Sequence, residues 1–204
     1  ALIYYCTALI LFYANTGNLA LTGVGLLGAG GAAVLGYKMF AHVKRRVAIW
    51  QNPWADYDNA GYQIIHSLMA IASGGLFGVG VGNGCLRNVY ASTTDLVFGL
   101  ICEEMGIFIG VIIVVAFASI AIYAMISSRS APSTFYSISA CSAAAMILFQ
   151  TCLNIFGITD LLPLTGVTLP FISQGGSSMI CTWALFAFIK AADVRAYPKI
   201  YKTN

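Results

Sequence analysis

The sequence has little charge. Asp, Glu, Lys and Arg make up only 8% of its 204 residues, about a third of the share in an average soluble domain. Ten basic and seven acidic side chains are too few to cover a water-soluble fold of this size. The six cysteines show no CxxC pair and no histidine at metal-ligand spacing, and most sit in apolar runs. That excludes a zinc site and a disulfide-stapled secreted domain. The composition also excludes a disordered chain and a nucleic-acid binder. Ala1 lies inside an apolar run, without a Met and without the layout of a signal peptide, so the sequence reads as part of a longer protein. What the chain has instead is hydrophobic residues, at 59%, and a mean hydropathy of +0.84. These define an all-α integral membrane protein, a polytopic helical bundle.

Apolar stretches of roughly 17–25 residues predict about six transmembrane helices, at 1–14, 19–41, 60–77, 97–126, 135–157 and 177–192, forming a single transmembrane domain. Gln63, His66 and Ser67 make the third the weakest. With alternating loops, Lys38, Lys44, Arg45, Arg46, Arg129, Lys190, Arg195, Lys199 and Lys202 fall on one side and only Arg87 on the other. The positive-inside rule then makes the loop 42–59 and the C-terminus cytoplasmic, with loops 78–96 and 158–176 outside. Segment 158–176 is too apolar for a solvated loop, and Pro163 and Pro170 break it too often for a span. It reads as a re-entrant or cavity-lining segment.

Few side chains on the outer side carry chemistry. Asp95 stands where a polar loop enters an apolar helix. Capping that helix is the commoner role for such a residue; a general base at the membrane boundary is the alternative. Glu103 and Glu104 lie within the next apolar helix, where an ionisable residue faces a cavity, a partner or the interface. The run SGGLFGVGVGNG (73–84) lacks the spacing of a nucleotide loop and reads as close backbone packing. Ser173, Gly175, Gly176, Ser177 and Ser178 open the last helix as an ordinary cap or an anion-binding nest. Gln150 and Asn154 share a helix face, which suits interhelical hydrogen bonds or a polar cavity. His66 alone reads as a packed histidine.

Four segments together resemble one family, the SEDS proteins (FtsW, RodA and SpoVE), membrane glycosyltransferases that polymerise peptidoglycan from lipid II. RRVAIWQNPWAD (45–56) is similar to R-V-x-x-W-x-N-P-W-x-D. GYQ (61–63) followed by SLMAIASGGLFGVGVG (67–82) is similar to GYQ…SL-A-I-x-S-GG-x-x-G-x-G-x-G. TDLVFGLICEEMG (94–106) resembles T-D-F-I-F-x-x-x-x-E-E-L-G, and LPLTGVTLPFISQGGSS (162–178) resembles L-P-x-T-G-x-x-L-P-F-x-S-Y-G-G-S-S. The likeness covers nearly the whole chain and implies the C-terminal part of a roughly ten-helix fold. The chain departs from the pattern at His66, Tyr90, Thr93, Leu96 and Gln174, where the family usually has Gln, Pro, His, Phe and Tyr.

The resemblance implies that Asp95 is catalytic. It would deprotonate the GlcNAc 4-hydroxyl of lipid II as that hydroxyl attacks a glycan carried on undecaprenyl pyrophosphate, with inversion. Arg87, Thr94, Glu103, Glu104, Gln150, Asn154, Ser173, Gly175, Gly176, Ser177 and Ser178 are the implied substrate-binding residues. The resemblance fixes no cofactor; a divalent cation such as Mg, or the rest of the protein, is the source of further charge for the pyrophosphate. The implied partner is a class B penicillin-binding transpeptidase, and the implied place is the bacterial cytoplasmic membrane with the active site on its outer face. A lipid II flippase using Glu103 and Glu104 as a proton relay is the rival reading.

Overall fold

The computed structural model describes residues 2–59, 61–131 and 133–193. Among them the chain is helical throughout: α1 (Leu2–Thr16), α2 (Leu19–Met39), α3 (Ala41–Gln51), α4 (Tyr62–Gly74), α5 (Val97–Met105), α6 (Ile107–Arg129), α7 (Thr134–Ile158) and α8 (Gly176–Ala191), with 3-10 turns at Pro53–Asp56 and Leu86–Asn88. α2, α6 and α7 are long and apolar enough to cross a membrane, and α8 is a shorter apolar helix. The architecture is that of a polytopic helical membrane protein.

α1 and α2 form a hairpin. Gly17 turns the chain at φ +61, and the Asn18 carboxamide accepts the Ala20 and Leu21 amides to start α2. α6 and α7 pack through small residues, with Ala121, Ala124, Ala140, Ala143 and Ala144 buried around Phe117 and Ile147. At the far end of this pair Ser128 meets Ser137, Oγ to Oγ, at 2.7 Å. The Tyr123 hydroxyl donates to the Asp193 carboxylate at 2.8 Å and accepts from Lys190 at 3.2 Å, which fastens the end of α8 to α6.

Two expected spans take a different form. Residues 60–77 give only the 13-residue α4. At 1.5 Å per residue it reaches about 20 Å, short of the roughly 30 Å hydrocarbon layer, and it is not among the helices long and apolar enough to cross a membrane. The expected helix 97–126 is split at Gly106, where φ is +86. The hydrogen bonds lost at that break are replaced by the glycine-rich run. Val79 and Gly80 donate to the Glu103 and Glu104 carbonyls at 2.9 and 3.0 Å, and Ile107 donates to the Gly75 carbonyl at 2.9 Å. A Cβ at Gly106 would overlap the Leu76 carbonyl oxygen. Gly106→Ala is therefore expected to destabilise the protein by at least about 1–3 kcal/mol from the backbone alone, read as a lowered melting temperature in detergent.

Loss of the third span changes the sidedness. α3 does not lie across the membrane from segment 158–176 but rests on it. The Arg46 guanidinium donates to the Leu164 carbonyl at 2.9 Å, and the Trp50 indole N–H donates to the Asp160 carbonyl at 3.0 Å. Arg45 and Arg46, which line the Asp95 cavity, and Arg87, whose carbonyl accepts the Ser92 hydroxyl, thus all belong to the Asp95 end. Arg129 and Lys190 belong to the other end, about 34 Å away along the 23 residues of α6. Arg195, Lys199 and Lys202, placed on the cytoplasmic side by the sequence, lie outside the described residues. With Arg45 and Arg46 on the same face as Arg87, the nine-to-one asymmetry does not hold. The reason is geometric: an alternation rule counts every apolar stretch as a crossing, and α4 turns back.

Candidate active site

Asp95 follows a tight turn at Ala91 (φ +63) and precedes α5. It does not cap that helix. The N-cap position is Leu96, and no side chain accepts an amide of the first turn. Among the described residues the Asp95 carboxylate carries no hydrogen bond or ion pair; it is half-buried and lines a cavity of about 380 Å³. The wall nearest the carboxylate is bare backbone. Gly166 sits at φ +70, and a Cβ there would lie 3.2 Å from Asp95 Oδ2. Arg45, Arg46, Asn59 and Gln63 line the same cavity, and the Gln63 carboxamide donates to the Tyr90 carbonyl at 3.3 Å.

The cavity therefore holds one free carboxylate facing two guanidiniums, of which Arg46 is held by Leu164 and Arg45 is exposed. An anionic ligand fits such a lining, because guanidiniums offer forked donors to phosphate oxygens. None of these four polar partners stands among the substrate-binding residues expected from the sequence. Their signal was there, in RRVAIWQNPWAD and GYQ, but the assumed crossing at 60–77 put the first of these on the wrong face.

The other expected site residues do not converge on Asp95. Thr94 gives its hydroxyl to the Ala91 carbonyl at 3.2 Å. Glu103, 3% exposed, uses both oxygens inside the protein: Oε1 accepts the Cys85 amide at 2.8 Å and Oε2 the Leu86 amide at 2.9 Å. It holds the end of the glycine run and borders a separate cavity of about 230 Å³ with His66 and Ser73. Glu104 is bound to that run through its carbonyl. Arg87 is exposed on its 3-10 turn, and Gln150 is half-buried in α7; neither lines the Asp95 cavity.

Asn154 and Ser173 are buried and bonded to the main chain of the Asp95 loop. Gly175, Gly176 and Ser177 are exposed at the start of α8, where no side chain caps the helix, and Ser178 meets Thr168, Oγ to Oγ1, at 2.8 Å. His66 packs on the Tyr62 ring, with centroids 3.9 Å apart. Asp160 adopts φ +59; burial pushes its carboxyl above the usual range, and its Oδ1 is buried without a partner. Among the described residues no three His, Cys, Asp or Glu side chains gather as a metal site.

These features define a helical membrane protein with a polar cavity at one end of the bundle, built around a single unengaged carboxylate. The chain belongs to the cell cycle protein family of FtsW, RodA and SpoVE, whose pattern residues 1–197 match. It is 32% identical over 189 residues to the peptidoglycan glycosyltransferase RodA of Mycobacterium bovis, covering 93% of this chain and 40% of that protein. Stage V sporulation protein E of Bacillus subtilis is 37% identical over 158 residues, covering 76% of this chain and 43% of that one. The probable peptidoglycan glycosyltransferase FtsW of the same organism is 37% identical over 132 residues, 64% of this chain and 33% of that one. A solved chain from a peptidoglycan synthase complex that coordinates polymerization and crosslinking has the same fold. It superposes with a TM-score of 0.69 at 22% identity, over 94% of this chain and 54% of that chain. The chain thus spans about two fifths of the length of the first of these curated relatives.

Proposed function

We propose that the protein containing this chain is a peptidoglycan polymerase that transfers a glycan from undecaprenyl pyrophosphate to lipid II. The observation that carries the reading is the unengaged Asp95 carboxylate in a cavity walled by Arg45 and Arg46. The resemblance of the chain to proteins named peptidoglycan glycosyltransferase supports it. In this mechanism the GlcNAc 4-hydroxyl of lipid II attacks the anomeric carbon of the donor glycan. Asp95 takes the hydroxyl proton, the new C–O bond forms with inversion, and the bond to the lipid pyrophosphate breaks with its electron pair on the leaving oxygen. Arg45 and Arg46 face the charge that develops on the pyrophosphate. One carboxylate beside two guanidiniums is no cage for a cation, and Mg usually takes further oxygens from substrate phosphates. A divalent cation is thus assigned to the substrate, and undiminished polymerisation after chelation would leave the arginines alone in that role.

The flippase reading rests on a proton relay through Glu103 and Glu104. With both Glu103 oxygens accepting backbone amides, that relay loses its first member. The direct test is polymer formation from lipid II by the purified full-length protein in detergent, where transport has no meaning; no polymer would sink the reading.

The reading also puts the Asp95 end outside the bacterial cytoplasmic membrane, the C-terminus inside, and a class B penicillin-binding transpeptidase beside it. Cys85 is an exposed cysteine near the Asp95 end. A membrane-impermeant maleimide should label it in intact spheroplasts of a strain whose other cysteines are replaced. Labelling only after lysis would reverse the orientation.

A further inference from the structure

The main chain around Asp95 is held group by group. The amides of Thr94, Asp95 and Leu96 all point at the Ala91 carbonyl, at 3.1, 3.0 and 3.1 Å. The three carbonyls of Thr93, Thr94 and Asp95 are each taken from outside the loop. Thr93 accepts the Gln174 amide at 2.9 Å, Thr94 accepts the Ser173 hydroxyl, and Asp95 accepts the Asn154 carboxamide at 2.8 Å. Three successive amides and three successive carbonyls are committed, while the carboxylate between them is bonded to nothing among the described residues. A side chain without a polar partner takes its position from its backbone and from steric packing, so a held backbone limits where this carboxylate can go.

The side-chain donors of Asn154 and Ser173 are all spent within the protein. Asn154 is 2% exposed, and its nitrogen bonds the Val167 carbonyl at 2.7 Å as well. Ser173, 3% exposed, donates to Thr94 and accepts the Leu169 amide at 2.8 Å. Neither lines the Asp95 cavity. Asn154 is also kept at a cost, because its Oδ1 is buried without a partner, a penalty an apolar residue of the same size avoids. The turn they brace is strained, since Ala91 sits at φ +63, and such backbone persists only where its surroundings over-determine it.

We propose that Asn154 and Ser173, with the Gln174 amide, are a carbonyl clamp that fixes the Asp95 carboxylate in the cavity: positioning residues, not substrate ligands. The proposal rests on the polymerase reading of Asp95. The clamp also keeps Asp95 from the neighbouring use that its place in the sequence offers. Released, the loop would let the carboxylate swing onto the free amides of the first turn of α5, where an Asp is a favoured cap and is lost as a base.

The test is the rate of lipid II polymerisation by the full-length protein, with kcat and KM measured separately. Ser173→Ala and Asn154→Leu are expected to lower kcat by about tenfold to 10²-fold, the scale of a small misplacement of a reacting group, with KM for lipid II changed less than about twofold. Ser173→Thr, which keeps the hydroxyl, should recover most of the rate. In an Asp95→Asn background, Ser173→Ala should cost nothing further, because the clamp acts only through that carboxylate; a general packing defect would lower the residual rate again. A raised KM with unchanged kcat would make these residues substrate contacts, and an unchanged kcat would remove the clamp. If Asn154→Leu does not accumulate, the serine pair decides alone. An Asp95→Asn protein that polymerises at the wild-type rate would overturn the polymerase base itself, an outcome distinct from loss of the clamp.

Discussion

Asp95→Asn in the full-length protein is expected to lower the rate of lipid II polymerisation by about 10²–10⁴-fold, the usual contribution of a positioned general base. The substitution is nearly isosteric and removes no hydrogen bond, because the carboxylate makes none among the described residues. Folding and membrane insertion should therefore be unaffected, and a melting curve in detergent should overlay that of the parent. This separates Asp95 from Glu103, whose replacement by Gln leaves one of the Cys85 and Leu86 amides facing an NH2 group. Glu103→Gln should lower stability first and activity only as a consequence. A wild-type polymerisation rate for Asp95→Asn, measured per folded protein, would end the catalytic assignment.

The second large effect is expected from the two guanidiniums. Hydrogen bonds to charged groups contribute about 1.5–3 kcal/mol each, and solvent screening at these exposed side chains favours the lower end. Arg45→Gln and Arg46→Gln should each cost roughly tenfold in kcat/KM, and the pair about 10²-fold. The two singles should differ in kind. Arg46 also donates to the Leu164 carbonyl, so its loss loosens α3 from the 160–164 segment, whereas loss of Arg45 removes charge alone. Lys at position 45 should restore much of the loss, and Lys at position 46 less, because an ammonium does not reproduce the guanidinium fork. Raising the salt concentration should diminish the parent's advantage over the double variant. Parent-like kcat/KM in the double variant would remove the arginines from the site.

The membrane class was legible from composition alone, because a chain so poor in charge has no other solvent to face. Asp95 was legible as well, once the scarcity of acidic residues was combined with the order of four motifs. The arginines were not. Their assignment depended on whether 60–77 crosses the membrane, and hydropathy does not report that α4 stops after 13 residues at a pair of glycines. Glu103 misled for a similar reason: an acidic residue in an apolar helix looks unsatisfied, and nothing in local spacing shows that Cys85 and Leu86 return to it. Ser173 opens what reads as a helix cap, yet its hydroxyl bonds Thr94, 79 positions away in the chain. The existence of a spanning helix follows from the length of an apolar run; the pairing of distant backbone groups is a property of the folded packing, which a single sequence does not display.

The bare wall at Gly166 has a consequence for how tightly a ligand can be met. Opposite the carboxylate the cavity presents peptide rather than side chain. A peptide has no rotamers, so that surface loses no side-chain freedom when a ligand settles against it, whereas each rotamer-rich side chain immobilised at an interface costs about 0.5–1.5 kcal/mol. The entropic cost of occupancy then falls mainly on the exposed Arg45, because Arg46, Asn59 and Gln63 already hold partners within the protein. One side of the cavity has no side chain to order, and on the other the ordering is chiefly that of one arginine.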